Sequence, residues 1–134
     1  MRKILKLTTA YLLASTVMTP VAIAQTEFAA TEEIVLVEMV DKSPTEFTFE
    51  PVDITVRRGA TLRFVMTGNV PHNIQFKDPP EGARLDEIMM GPFLVQRGQT
   101  YDVVIDDRFV DGLYPVVCTP HELMGMKGTL TVIP

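Results

Sequence analysis

Cysteine and histidine are scarce in this chain, which has one cysteine, two histidines and no tryptophan among its 134 residues. A single cysteine excludes an internal disulfide, so Cys118 is either a free thiol or a metal ligand. In an exported protein an exposed thiol is readily oxidised or captured, which favours the ligand interpretation. Two histidines also exclude any centre that needs a larger set of imidazole ligands.

Long apolar runs are scarce as well, and the run at residues 11–17 is too short to span a bilayer comfortably. It follows a basic start and precedes Ala22-Ile23-Ala24, and this arrangement is the pattern of a secretory signal peptide. We therefore expect residues 1–24 to be a signal peptide and residues 25–134 to form one domain in the periplasm. No second run of this kind follows, so no membrane span is expected.

Acidic residues outnumber basic ones, 17 to 12, which gives a formal net charge of −5. Residues 1–24 carry three of the basic residues and no acidic residue, so their removal would change the net charge from −5 to −8. Such a charge argues against a nucleic acid partner and favours basic protein partners. Acidic residues concentrate at 78–87 and 102–111, where they either steer a partner or simply solvate the surface.

Beyond residue 33 the chain consists of short apolar or alternating segments separated by turn residues. Residues 34–40 are nearly all apolar and predict a buried strand, 41–44 predict a turn, and 77–87 predict a surface loop. The further predicted strands are 47–56, 61–66, 72–76, 93–95, 101–105, 113–117 and 128–133. Many short strands at regular spacing predict an all-β fold, a Greek-key β-sandwich or barrel of about seven to eight strands.

Residues that can bind metal are concentrated in one C-terminal segment, which contains Cys118, His121, Met124 and Met126. The second histidine, His72, lies in a separate segment. One thiolate, one or two imidazoles and a thioether form a ligand set that copper selects, because soft sulfur favours Cu(I) while imidazole suits both oxidation states. The residue types therefore indicate a copper site.

The spacing of these residues resembles that of a known family. The pair His72-Asn73, followed far downstream by Cys-x-Pro-His-x-x-x-x-Met at residues 118–126, resembles the small blue copper proteins, particularly plastocyanins and pseudoazurins. The resemblance extends from about residue 51 to residue 132 and implies a single copper ion. The implied ligands are His72, Cys118, His121 and, as the weak axial ligand, Met126.

Met124 offers an alternative axial ligand, because a shorter copper loop resembling that of amicyanins would use a methionine three residues after the histidine. In both loop lengths the axial methionine is followed by x-Gly-x-Val or a close equivalent. The residues Met126-Lys127-Gly128-Thr129-Leu130 fit this pattern and those after Met124 do not. Met126 is therefore preferred.

The resemblance also implies roles for residues around the ligands. Asn73 resembles the family residue whose side chain ties the two ligand segments together, here through Thr119, and its backbone N–H is the expected donor to the Cys118 sulfur. Pro120 stands where other cupredoxins can offer a second N–H to that sulfur, and proline has none to give. Fewer donors would leave the thiolate more electron-rich.

The resemblance implies a mononuclear type 1 copper protein that carries single electrons between redox proteins and is not an enzyme. A partner such as a cytochrome or a copper enzyme would dock near the exposed edge of His121, and the protein is expected to be a monomer. Val117 stands where plastocyanins carry a tyrosine used as a second electron entry. A general bacterial periplasmic carrier is therefore expected rather than a photosynthetic one.

The alternative function is periplasmic copper delivery, storage or resistance. Met89, Met90 and Met124 motivate it, because thioethers select Cu(I). They do not form a repeated Met-x-x-Met run, however. A copper oxidase or nitrite reductase would need further histidines for a second copper, and both histidines of the chain are used by the first site.

Overall fold

The computed structural model describes residues 32–134, so the predicted signal peptide lies outside the described residues. Within them, eight strands form two four-stranded sheets, which confirms the predicted β-sandwich. The strands are β1 (Ile34–Ser43), β2 (Glu46–Glu50), β3 (Asp53–Arg57), β4 (Thr61–Met66), β5 (Gln75–Phe76), β6 (Thr100–Val104), β7 (Gly112–Val117) and β8 (Lys127–Ile133). Over the same residues we find no helix that is both long and apolar enough to cross a membrane.

The two sheets enclose one apolar core. Their strand orders are β2-β1-β4-β6 and β3-β8-β7-β5, and the β1–β4 and β3–β8 pairs are parallel. Alternate residues of the strands point inward, which gives most strands one buried face. The largest buried side chains include Tyr114, Phe49, Phe64, Phe76, Phe109 and Met39.

The predicted strand at residues 34–40 is confirmed as part of β1, but its predicted burial is wrong, because one face of β1 meets solvent. Val37 and Met39 are fully buried, whereas Leu36, on the opposite face of the strand, is 55% exposed. An antiparallel or mixed sheet can expose one face to water, and an apolar residue on that face does not change its direction. Apolar character alone therefore overestimated the burial of this strand.

The predicted turn at residues 41–44 begins too early, since β1 continues to Ser43. Its pairing with β2 becomes irregular between Asp41 and Ser43. Irregularities of this kind redirect side chains near functional sites. Asp41 pairs with Phe47 and is the last residue in regular register before this irregularity.

The predicted strand at residues 47–56 is wrong in a different way, because β2 and β3 belong to different sheets. The chain changes sheet at Pro51 and Val52, which are exposed. Proline has no N–H to continue a strand ladder. The carbonyl of Val52 instead accepts a hydrogen bond of 3.0 Å from the Thr129 N–H of β8.

The long connection between β5 and β6 contains no named strand, so the predicted strand at residues 93–95 is wrong. Only Leu94 pairs there, in an isolated bridge with His72. The His72 N–H donates to the Leu94 carbonyl at 3.1 Å, and the Leu94 N–H donates back at 2.8 Å. The predicted strand at 72–76 is correspondingly reduced to β5.

The predicted loop at residues 77–87 has no strand, but it is not wholly superficial. Leu85 is 1% exposed and belongs to the core, so it anchors the loop to the sandwich. A turn follows, in which the Ile88 N–H donates to the Leu85 carbonyl at 2.8 Å.

Tyr114 fixes the entry into β7. Its side chain is fully buried, its hydroxyl donates to the Val110 carbonyl at 2.7 Å, and the Val110 N–H donates to the same hydroxyl at 2.8 Å. Both backbone groups of Val110 are thereby satisfied by one side chain. This contact holds the start of the strand that leads to Cys118.

Candidate metal centre

Three side chains with metal-binding atoms meet at one end of the sandwich. The Nδ1 atoms of His72 and His121 lie 3.1 Å apart, and they lie 3.5 Å and 3.4 Å, respectively, from Sγ of Cys118. His72 and Cys118 are fully buried and His121 is partly buried. The fold thus brings both histidines to the cysteine, although His72 precedes Cys118 by 46 residues.

This triangle of donor atoms fits a metal ion. Lone pairs on two imidazole nitrogens and a thiolate repel one another at such distances unless a proton or a cation lies between them. A three-coordinate ion with bonds of about 2.0–2.3 Å would hold its ligands about 3.5–4 Å apart, close to the observed separations. Two imidazoles and one thiolate are also the equatorial ligands of blue copper sites.

The segment between β7 and β8 is a compact loop. Cys118 directly follows β7, and a 3-10 helix at Thr119–Met124 carries His121. Pro120 stands at the start of this helix, where a missing N–H leaves no hydrogen bond unmade. Gly125 ends the helix with a φ of 90°, a left-handed conformation that favours glycine.

Met126 is the methionine that this loop buries. The Met126 N–H donates to the His121 carbonyl, and the Cys118 N–H donates to the Met126 carbonyl, both at 3.1 Å. The Met126 side chain is fully buried, whereas Met124 is 45% exposed. The loop therefore brings the backbone of Met126 beside that of Cys118 and leaves Met124 at the surface, which favours Met126 as the fourth ligand.

Asp41, which the sequence placed in a turn, contacts the site directly. Its Oδ1 lies 2.7 Å from Nε2 of His72, and its Oδ2 accepts hydrogen bonds from the backbone N–H groups of Asn69 at 2.6 Å and Val70 at 3.3 Å. Partial burial acts to raise the pKa of Asp41, but the hydrogen bonds from Asn69 and His72 outweigh it, so the pKa lies below its ordinary value. No local motif indicated this contact, because it joins residues 31 positions apart.

Phe47 covers one face of His121. The two rings are stacked, with centroids 4.0 Å apart and planes inclined by 27°. The same phenylalanine meets His72 edge to face at 5.8 Å. Burial lowers the pKa of His121, and the nearby His72 ring lowers it further, while Asp41 acts in the opposite direction. The alternating pattern of β2 predicted that Phe47 points inward, but it did not predict the contact with His121.

A comparison with family models decides the classification of this site. Residues 36–133 match the family described as copper-binding proteins of the plastocyanin/azurin family. The chain belongs to this family. It is a blue copper cupredoxin, and it binds one copper ion.

Individual relatives agree with this membership. The plastocyanin of Scenedesmus fuscus is 36% identical to this cupredoxin over 86 residues, which cover 63% of this chain and 85% of that protein. The oxidised plastocyanin of Dryopteris crassirhizoma is 34% identical, with a TM-score of 0.62 over 74% of this chain and 100% of that one. The pseudoazurin of Methylobacterium extorquens is 25% identical, with a TM-score of 0.55 over 75% of each chain. The predicted resemblance is confirmed.

Asn73 ties the two ligand segments of the cupredoxin together, as predicted. Its Oδ1 accepts hydrogen bonds from the backbone N–H and the hydroxyl of Thr119, both at 2.9 Å. Burial raises the pKa of the Cys118 thiol, and the backbone N–H groups of Asn73 and His121 oppose that shift. Metal binding must release this proton. The effect of Pro120 on the sulfur stays a prediction.

Exposed apolar side chains lie on the segments that carry or adjoin the two histidines. They are Pro71, Met90, Pro92, Phe93, Leu123 and Met124. Leu123 is fully exposed, whereas Met89 packs against the core and is structural. Glu122 is drawn toward Lys77, whose Nζ lies 3.4 Å from its carboxylate. Leu123 and Met124 therefore place exposed apolar side chains on the same short helix as His121.

Proposed function

We propose that this cupredoxin is a periplasmic type 1 copper protein that carries single electrons between redox proteins. The observation that carries the proposal is the buried triangle of donor atoms from His72, Cys118 and His121. We assign these three residues and Met126 as the ligands. Copper bound there supplies one-electron chemistry by cycling between Cu(I) and Cu(II).

The protein holds the metal-binding side chains in place through hydrogen bonds between the segments that carry them. Backbone hydrogen bonds close the loop that carries Cys118 and His121, a two-way bridge to Leu94 holds His72, and Asn73 joins both segments. Groups that are already in place need little rearrangement when charge changes. This property suits a protein whose task is rapid electron exchange.

His121 is the best candidate for the electron route. It is partly buried, whereas His72 and Cys118 are fully buried. Leu123 and Met124 follow it in sequence and are exposed, so a partner can approach His121 across an apolar surface that is readily desolvated. We therefore place the docking site of a cytochrome or copper enzyme here, and we infer that the protein has no substrate of its own.

The acidic segment at residues 102–111 gives little support to steering by charge. Each of its four aspartates forms an ion pair with an arginine, and these pairs are Arg63–Asp102, Arg108–Asp106, Arg84–Asp107 and Arg58–Asp111. Pairing cancels most of the field that an approaching protein would meet. Attraction of a basic partner would therefore depend on the remaining acidic surface.

The alternative of copper delivery or storage has weaker support. Transfer of a metal is easier from an open site, whereas His72, Cys118 and Met126 are all fully buried. Of the methionines that suggested it, Met89 packs against the core and only Met90 and Met124 are exposed. Copper delivery or storage is therefore the alternative outcome of the copper-binding experiment.

The experiment is a visible absorption spectrum of the purified protein after one equivalent of Cu(II), followed by ascorbate and reoxidation. An electron carrier should show an intense blue thiolate-to-copper band that bleaches and returns. Cys118→Ser should abolish the band. Weak colour, or tight Cu(I) binding without a reversible couple, would instead support copper delivery or storage.

Location and processing are tested separately. We expect the protein recovered from the periplasmic fraction to begin at Gln25, because residues 1–24 have the composition of a signal peptide. We also expect a monomer by light scattering. A cytoplasmic protein that retains residues 1–24 would contradict the proposed location while leaving the copper chemistry intact.

A further inference from the structure

Asp41 is held beside the metal centre by more than one contact. Its Oδ1 lies 2.7 Å from Nε2 of His72, and its Oδ2 receives the N–H groups of Asn69 and Val70. The aspartate side chain is 12% exposed and the histidine side chain is fully buried. A carboxylate hydrogen-bonded to one ring nitrogen of a histidine decides which of the two nitrogens carries the proton of the neutral ring.

The loop at residues 67–70 is shaped around this carboxylate. A Cβ on Gly68 would lie 2.1 Å from Oδ1 of Asp41, so any side chain at that position would displace the carboxylate. The N–H groups of Thr67 and Gly68 donate to the Met39 carbonyl at 3.1 and 3.0 Å and fix the loop against β1. The loop thus leaves room for one acidic side chain and directs two N–H groups toward it.

These contacts determine which nitrogen of His72 carries the proton. Oδ2 already accepts two N–H groups, so a proton cannot reside there, and an ionised carboxylate can only accept hydrogen bonds. The hydrogen bond between Oδ1 and the ring therefore requires a proton on Nε2. Nδ1 is left with a free lone pair, and it faces Cys118 and His121.

We propose that Asp41 is a positioning residue that fixes the tautomer and orientation of His72 for copper and lowers the reduction potential of the site. The proposal rests on His72 serving as a ligand in the function proposed above. A negative charge hydrogen-bonded to the imidazole makes it a stronger donor, which stabilises Cu(II) more than Cu(I). The two oxygens of Asp41 thus connect the backbone of Asn69 and Val70 to His72.

Asp41→Asn is the informative variant, because it keeps the shape and removes the charge. The two backbone N–H groups would hold its amide oxygen, so its NH2 group would face Nε2 and favour a proton on Nδ1. We expect Cu(II) affinity to fall about 10- to 100-fold, the usual cost of losing such a partner. If Cu(I) affinity falls less, the potential rises by about 59 mV for each tenfold difference.

Glu38→Gln is the matched control, since Glu38 is an exposed acid on the same strand and its loss removes the same charge. The readouts are the midpoint potential, the Cu(I) and Cu(II) affinities, and the His72 tautomer by nitrogen-15 NMR of the metal-free protein. The proposal expects Nε2–H in the wild-type protein, a shift toward Nδ1–H and a higher potential in Asp41→Asn, and little change in Glu38→Gln.

Two results would overturn the proposal. One is an Nδ1–H tautomer of His72 in the metal-free wild-type protein, which needs no variant to fold. The other is a potential that changes equally in Asp41→Asn and Glu38→Gln, which would show a general charge effect. A wild-type protein with the Nε2–H tautomer and no blue band would support the tautomer assignment and refute the electron-carrier function instead.

Discussion

The ring of Phe47 stacks on the ring of His121, with centroids 4.0 Å apart and planes inclined by 27°. This contact joins β2 of one sheet to the loop that follows β7 of the other sheet. Phe47 is only 7% exposed, so one face of the imidazole is shielded from water by a side chain that is itself fixed in the core. The ligand at the surface is therefore less free to rotate or to be protonated than its exposure alone would indicate.

Replacement of Phe47 by leucine should raise the pKa of His121 toward its ordinary value of 6.5, because burial is the main cause of the lowering. The measurement is an NMR titration of the histidine ring protons in the metal-free protein. Phe49→Leu is the control, since Phe49 is also buried in β2 but meets Phe64 edge to face and no histidine. An unchanged His121 pKa in Phe47→Leu would show that the stacking does not control its hydration.

The same shift predicts how the metal-free fold responds to acid. The pKa of His121 is lower in the folded protein than its ordinary value of 6.5, so the unfolded chain binds the proton more tightly. The stability of the metal-free protein is therefore retained above pH 6.5, and it declines as the pH falls toward the pKa of His121 in the folded protein. Urea unfolding at about pH 7.5 and about pH 5.5, above and below the ordinary histidine pKa, should show this decline, and Phe47→Leu should reduce it.

Met126→Leu should keep the blue colour and raise the reduction potential, because loss of a thioether donor destabilises Cu(II) relative to Cu(I). Met124→Leu is the matched control in the same loop and should leave the potential unchanged, since Met124 is 45% exposed. Cyclic voltammetry and absorption spectra of both variants distinguish the two methionines. Reversed outcomes would make Met124 the axial ligand.

Asn73→Ala should destabilise the protein by about 1–3 kcal/mol, because the N–H and hydroxyl of Thr119 would lose their shared acceptor in a largely buried place. Asn69→Ala is the control, since it removes an exposed side chain and preserves the backbone N–H that Asp41 accepts. Denaturant unfolding of the metal-free proteins measures the loss of stability in both variants. Equal losses in the two variants would contradict a specific tie between the ligand segments.

Tyr114→Phe should lower the free energy of unfolding by about 1–3 kcal/mol, because both backbone groups of Val110 would lose their hydrogen-bond partner. Tyr101→Phe provides the comparison, since Tyr101 is only partly buried. The copper spectrum of Tyr114→Phe should remain that of the wild type, because the hydroxyl does not contact a ligand. A changed spectrum with unchanged stability would contradict a purely structural role.

The β-sandwich could be predicted because turn residues and alternating apolar residues are local properties of the chain. The assignment of strands to sheets could not, as residues 47–56 show. Apolar residues alternate at 47 and 49 and again at 52, 54 and 56, but the phase changes at Pro51, and β2 and β3 on its two sides pair with different sheets. That choice depends on pairing with β1 and β8, which lie far away in the sequence.

The amino-acid sequence was enough to predict the chemistry of the donor set, since Cys118, His121 and Met126 lie in one loop and the chain has only one other histidine. Their spacing restricts the geometry that any fold can give them. The residues that surround these donors became apparent from the folded structure alone. Asp41 reaches His72, and Phe47 covers His121, through strands that are distant in sequence. The protonation and solvent access of a ligand depend on such neighbours in space. A local sequence pattern cannot reveal them, because they come from distant parts of the chain.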